Sequence, residues 1–378
     1  TISPSSVSSK SIKAGKLFGI EIRLDYSWLI IVGLIAWTFI SSVLPASYPS
    51  LSTLSVVVVG LISTVLFFSS LLTHELAHSL YARKHGVPVK RIRLFIFGGA
   101  SEIEGEAKTP QVEIIMAILG PLTSMALGVM FAFVAVAGIA LGNDEITALG
   151  SLLCSIKFFL GFFNLIPAFP LDGGRVLMGI VWKATGNVNR ATHVAAKSGK
   201  AFSYILIAGG VLEVIVTQSV GGIWLMLIGS FLNATSSAAL RESEAKLILG
   251  KAPVSQLMEE RFTTVSPHIT IKEFLKDFVL KYKTTTFIVM NNNEIVGTIN
   301  AGDVKKAHES EAVEKYTCRD PCVVEMNEKV SDCFEKMATS PLAAVVNNGT
   351  LVGVISPDDM RSYILGKRAW IEMGHKET

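Results

Sequence analysis

Two histidines flank a glutamate in His74-Glu75-Leu76-Ala77-His78. On a helix this spacing puts both imidazoles on one face, a turn apart, where they can share a zinc ion. Glu75 then stands where it can take a proton from a water activated at the metal, the role of a general base. The surroundings sharpen the reading. From Leu54 to Leu72 the chain carries no charge and runs directly into the motif. Uncoordinated imidazoles and a carboxylate at membrane depth are expensive, so they mark function.

A catalytic zinc takes three protein ligands and keeps one position open for water. His193 lies in a basic loop, and His85 falls at a helix end beside Arg83 and Lys84. Asp172 is the better third donor, within Asn164-Leu165-Ile166-Pro167-Ala168-Phe169-Pro170-Leu171-Asp172-Gly173-Gly174-Arg175. Pro167 and Pro170 cannot continue a helix, so the span must break there. Broken backbone at membrane depth is tolerated only where it lines a cavity or is buried in protein. The competing reading is an Asp-Gly-Gly turn at the membrane surface.

These residues need a scaffold, and the apolar runs supply it. Six approach the thickness of a bilayer: Trp28 to Leu44, Leu54 to about Arg83, Val112 to Leu141, Ala148 to about Leu165, Ala201 to Thr217, and Val220 to Leu240. Lys10, Lys13, Lys16 and Arg23 precede the first; Arg83, Lys84, Lys90, Arg91 and Arg93 follow the second; Lys183, Arg190, Lys197 and Lys200 follow the fourth. The alternate loops hold no basic residue, which places both termini in the cytosol of a multi-pass cell-membrane protein. At 1.5 Å per residue, His78 lies about 8 Å from Arg83, in the cytosolic third of the bilayer.

Composition agrees. Of 378 residues half are apolar and 17% charged, with a mean hydropathy of +0.49; a soluble chain carries about 25% charged residues. The deficit ends at Arg241. The chain therefore reads as a polytopic α-helical membrane domain of six spans (15–240), preceded by a disordered segment (1–14). A linker (241–251), a soluble α/β domain (252–365) and a tail (366–378) follow. The net charge of +3 flanks the spans and implies no nucleic acid. Cys154, Cys318, Cys322 and Cys333 match neither a zinc-ligand spacing nor a secreted disulfide framework.

The HELAH motif on an apolar helix, followed by Asn-x-x-Pro-x-x-Pro-x-Asp-Gly-Gly-Arg, resembles the site-2 protease family of intramembrane zinc metalloproteases over Gly15 to Leu240. The resemblance implies one zinc held by His74, His78 and Asp172, with Glu75 as base and a membrane-spanning protein as substrate. Phe97-Gly98-Gly99 and Gly120-Pro121-Leu122 also resemble family elements. The stretch from Gly105 to Gln111 is too short for the PDZ insertion of some members. Phe97, Gly98, Gly99, Asn164, Pro167 and Pro170 are the expected substrate-contacting positions. Asn164 would hold either the substrate backbone or its own loop. Val89 to Ile103 reads as extended, presenting a strand edge to an unwound substrate or only closing the cavity. Lys157 and Glu213, charged within spans, are expected either to pair or to leave Lys157 reaching for the interface.

The soluble third repeats itself. Ile295-Val296-Gly297-Thr298-Ile299 matches Leu351-Val352-Gly353-Val354-Ile355, and each unit reads strand, helix, two strands, helix. Neither half has faces enough for its own core, so the halves should pack together. The pair (252–308 and 312–365) resembles tandem CBS domains. That implies an adenosine nucleotide (ATP, ADP or AMP) at Gly353, Ser356 and Asp359. The first unit keeps Asp303 but has Asn300 at the Ser/Thr position. A homodimerisation module without ligand is the other reading. As a whole, the rivals to a protease are a CBS-gated channel or transporter with a structural metal site and a prenyl-protein protease. The latter family draws its third ligand from a downstream glutamate.

Overall fold

In the membrane part the first four expected spans match observed helices to within a few residues. The fifth begins at Val188 rather than Ala201, so that Arg190, His193, Lys197 and Lys200 lie in a helix and not in a loop, and the sixth runs on to Leu249. The computed structural model describes residues 11–96, 98–103, 107–218, 220–250, 252–330, 333, 336–337 and 340–373. Six helices are long and apolar enough to cross a bilayer: α1 (Tyr26–Ser47), α2 (Thr53–Lys84), α3 (Pro110–Ala140), α4 (Asp144–Asn164), α6 (Val188–Thr217) and α7 (Val220–Leu249). Their starts are written in the sequence as capping side chains. Ser52 accepts the Ser55 amide, Thr109 that of Val112, Asn143 that of Ile146 and Asn187 that of Arg190. Each satisfies one of the amides a helix start leaves free. The basic residues Arg83 and Lys84 close α2, where the helix dipole favours them.

A shorter helix, α5 (Asp172–Thr185), follows the proline break and ends on Gly186 in the left-handed region, at φ 68°. Its apolar stripe is too short to register as a span, so the sequence reading passes over it.

Two strands before α1, β1 (Ser11–Leu17) and β2 (Ile20–Asp25), join two between α2 and α3, β3 (Val89–Phe95) and β4 (Gly98–Ile103), in one sheet of that order. β2 and β3 run parallel, while the two outer pairings are antiparallel. Ile20, Ile92 and Leu94 bury against Leu76, so the sheet packs on the α2 turn that carries the histidines. Residues 11–14, expected to be disordered, belong to β1. Lys13 and Lys16 find Glu21 across the strand pair, Lys13 at 3.8 Å. The extended segment 89–103 is a hairpin. β3 is paired on both sides, so within the hairpin the unpaired edge, among the described residues, is that of β4.

A second unit begins at Glu242. The expected linker, rich in Glu, Ala, Lys and Leu, stays helical to Leu249, as those residues favour. Two three-stranded sheets follow with one pattern. They are β5 (Thr264–Val265), β6 (Thr286–Asn291) and β7 (Glu294–Asn300), then β8 (Cys322–Glu325), β9 (Ala343–Asn347) and β10 (Thr350–Ile355). Each begins with a parallel pair and ends in an antiparallel hairpin. The two repeats exchange their first turns. Val254 and Leu257 bury among Val324, Val345 and Ile355, whereas Val313 buries among Val265, Phe287 and Ile299. The expected tail is helix up to Glu372, in α8 (Pro357–Glu372), where Arg368 bonds Glu244.

Among the described residues, Lys157 and Glu213, expected either to pair or to leave Lys157 reaching for the interface, form no ion pair with each other. α4 packs on α2 and α3, and the Lys157 ammonium lies over the Phe67 ring, 5.0 Å from its centre.

Candidate metal centre

His74 and His78 lie on the buried face of α2, and Asp172 opens α5. Their donor atoms converge. The two Nε2 atoms are 3.2 Å apart, His74 Nε2 is 3.2 Å from Asp172 Oδ2, and His78 Nε2 is 3.4 Å from Asp172 Oδ1. Tetrahedral zinc with bonds of about 2.0–2.2 Å holds its donors about 3.3–3.6 Å apart. The three edges fit that ion, and they are the only such group among the described residues.

Each ring is aimed by its other nitrogen. His78 Nδ1 donates to the Met116 carbonyl at 2.6 Å, and His74 Nδ1 meets Ser124 Oγ at 2.9 Å. Both partners sit on α3. The Met116 carbonyl can only accept, which sets the His78 tautomer with its Nε2 lone pair free for a metal, and Ser124 orients the His74 ring so that its Nε2 faces that of His78. Gly120 lies between these partners. A Cβ there would stand 2.1 Å from His78 Nε2 and 2.7 Å from His74 Nε2, between the two nitrogens and, at the first, at zinc–nitrogen bonding distance. The missing methyl is the room for the ion.

Asp172 is held from three sides. Gly173 and Gly174 press against the loop before them, where Cβ atoms would come within 2.2 Å of Leu165 O and 2.3 Å of Phe169 N. The loop carbonyls are taken up by hydroxyls, Pro167 O by Ser198 and Phe169 O by Ser236 at 2.6 Å. One turn along, the half-buried Arg175 donates through Nε to Oε1 of the buried Glu113 at 2.8 Å and ties α5 to α3. A cavity of about 180 Å³ opens beside it, lined by Glu113, Arg175, Met116, Phe169 and Trp182 among others.

Glu75 is buried next to His74, with its carboxylate under the hairpin. Ser101 Oγ donates to Glu75 Oε2 at 2.9 Å. Gly99, on the same face of β4, comes so close that a Cβ would lie 2.5 Å from Glu75 Cγ. Gly98 begins that strand opposite Phe95. Phe97 lies outside the described residues. Asn164 ends α4 half-buried. Pro167 is exposed and Pro170 half-buried in the break. Sequence reasoning missed Ser124, Glu113 and Ser101. The spacing of Gly120 and Ser124, one turn apart, and the lone carboxylate of Glu113 at the start of an apolar helix were the available signals.

In the second unit, Ser356 and Asp359 bond each other. Ser356 Oγ and N donate to Asp359 Oδ2 at 2.7 and 2.8 Å, capping α8. Gly353 faces Met258, whose Sδ would be 3.0 Å from a Cβ. Asp303 is exposed in a turn where Asn300 Oδ1 accepts the Gly302 amide at 2.7 Å. A cavity of about 730 Å³ lies elsewhere, between the hairpin tips at Asn292 and Asn348. None of the four nucleotide candidates lines it.

The family model described as peptidase family M50 matches residues 62–141 and 138–206, and the CBS domain model matches 254–310 and 313–366. A Synechocystis protein named as a zinc metalloprotease, sll0528, is 32% identical over 364 residues, covering 92% of this chain and 93% of its own. Zinc metalloprotease MJ0392 of Methanocaldococcus jannaschii is 30% identical, covering 93% and 95%. The solved site-2 protease from Methanocaldococcus jannaschii is 29% identical with a TM-score of 0.43, over 61% of this chain and 96% of that one.

Proposed function

From the premise that this chain belongs to peptidase family M50, the site-2 proteases, and carries a tandem CBS pair, we propose that it hydrolyses peptide bonds in or near the transmembrane segments of other membrane proteins. The chain is a multi-pass membrane zinc metalloprotease. The observation that carries the finer reading is the convergence of His74, His78 and Asp172, with Glu75 adjacent, inside a bundle of apolar helices. A soluble substrate has no reason to enter there.

His74, His78 and Asp172 would hold the zinc. When bound, zinc polarises the scissile carbonyl and lowers the pKa of water toward about 7. Glu75 accepts the proton of the attacking water and returns it to the departing amine nitrogen, so that acid and base are one group. The carbonyls of a helical substrate are locked in its own hydrogen bonds, so it must unwind before attack. The edge of β4 offers backbone groups for the unwound stretch to pair with. Asn164, at the end of α4 just before the proline break, would bind the substrate backbone. The basic loops orient the centre toward the cytosol.

Cleavage of a synthetic single-span peptide, bearing a fluorophore and quencher at its ends, tests the reading in detergent. Wild type should cut it, whereas Glu75→Gln and a chelated sample should not. Equal activity in Glu75→Gln rejects the mechanism. The reading of a regulatory adenine nucleotide rests on the tandem CBS pair itself. Calorimetric titration of the full chain with ATP, ADP and AMP checks this. Binding that survives Asp359→Ala would place the nucleotide elsewhere.

A further inference from the structure

Ser101 belongs to the strand with the free edge, yet its side chain engages the base. It pairs with Ile92 across the hairpin, donates to Glu75 Oε2 at 2.9 Å, and meets the buried Ser79 Oγ at 3.0 Å. Ser79 lies one turn after Glu75 on α2, so helix, carboxylate and strand are closed into a ring of hydroxyls. Gly99, two residues back and on the same face, brings the backbone of β4 against the Glu75 side chain.

We propose that Ser101 is a positioning residue that ties the aim of Glu75 to the strand on which substrate pairs. A glutamate has three rotatable bonds, and left alone its carboxylate sweeps several positions. A hydrogen bond to one oxygen fixes the carboxylate plane and leaves the second oxygen free to accept a proton. Because the donor rides on β4, the same backbone sets both the scissile carbonyl and the base. Misplacement by about 1 Å in such an assembly costs on the order of a hundredfold in rate. This inference rests on the reading of Glu75 as base and β4 as docking edge.

The test uses the full-length protein in detergent with zinc, and the fluorophore–quencher peptide as probe. In Ser101→Ala, kcat should fall roughly tenfold, the range of a lost hydrogen bond to a charged group. KM and zinc per chain should stay unchanged, and Ser101→Thr, which keeps the hydroxyl, should restore kcat. Wild-type kcat in Ser101→Ala overturns the proposal, as does a loss carried by KM or by zinc, or a failure of threonine to rescue. Glu75→Gln separates the two levels. If it is inactive while Ser101→Ala is unaffected, only the role of Ser101 falls; if it is fully active, the base assignment falls with it.

Discussion

At the scale of the residue, the site depends as much on what is missing as on what is present. His74, Glu75, His78 and Asp172 are legible because their types announce chemistry and their spacing announces a helix and a break. Gly120 announces nothing. Its role exists only once α3 lies across α2, with its backbone where a side chain would fill the zinc position. Gly120→Ala should therefore bind little or no zinc, falling from about one ion per chain, while helix content is kept. Metal analysis of the purified protein beside its circular dichroism checks this, and an alanine variant that keeps its zinc would show that the room lies elsewhere. The same reasoning explains why Ser124 and Met116 escaped notice. A hydroxyl and a carbonyl become partners of a histidine only through the crossing of two helices.

At the scale of the element, the spans and their caps follow from local chemistry, and the ends of the first four were readable to within a few residues. The fifth starts at Val188 and the sixth runs to Leu249, because polar helical turns extend both beyond their apolar runs. Pairings were not. An apolar extended run does not say which of its strands is inner and which is the edge, and charges on separate spans do not say which helices touch. Lys157 and Glu213 look matched in depth, but their helices pack on different partners. The pair that does form, Glu113 with Arg175, joins α3 to the first turn of α5 and so holds Asp172 in place. Removing the partner of a buried charge leaves that charge stranded and costs about 3–5 kcal/mol. Arg175→Met should lower the unfolding midpoint accordingly and weaken zinc binding. The neutral double variant Glu113→Gln/Arg175→Met should recover much of the stability, because no charge is then left alone. A single variant as stable as the parent would deny the pair its structural role.

A second element-scale case lies in the soluble unit. Lys315, with the Tyr316 hydroxyl and the His308 amide, holds the Glu311 carboxyl down at about 2. Folding lowers this group's pKa, so its contribution is present above the unfolded carboxylate range, about 4.3, and disappears as the pH falls toward 2. Glu311→Gln should speed amide exchange in the turn at Val313–Tyr316 near neutral pH. Its difference from the parent should narrow between about pH 4 and pH 2. A difference that persists unchanged in acid would mean that the ion network contributes nothing there.

At the scale of the whole chain, the internal repeat was legible from two matching segments, but the exchange of first turns was not. Similar units can pack side by side or trade elements, and the apolar pattern is the same for both. The trade has a thermodynamic signature. Val254 is fully buried, yet its neighbours Val324, Val345 and Ile355 all belong to the other repeat. Truncating it leaves a cavity in that distant core, at a cost of about 2 kcal/mol by analogy with other buried aliphatic truncations. In Val254→Ala, hydrogen exchange should therefore rise first in β8, β9 and β10, more than fifty residues away in the chain. β5, β6 and β7, which follow Val254 directly, should stay protected longer. Val313→Ala should give the mirror image, loosening β5 to β7. If each substitution instead loosens its own repeat, the units fold separately and the exchange is no part of their stability. If the mirror pattern holds, neither repeat is stable without the other. A ligand that tightens one CBS unit would then tighten both.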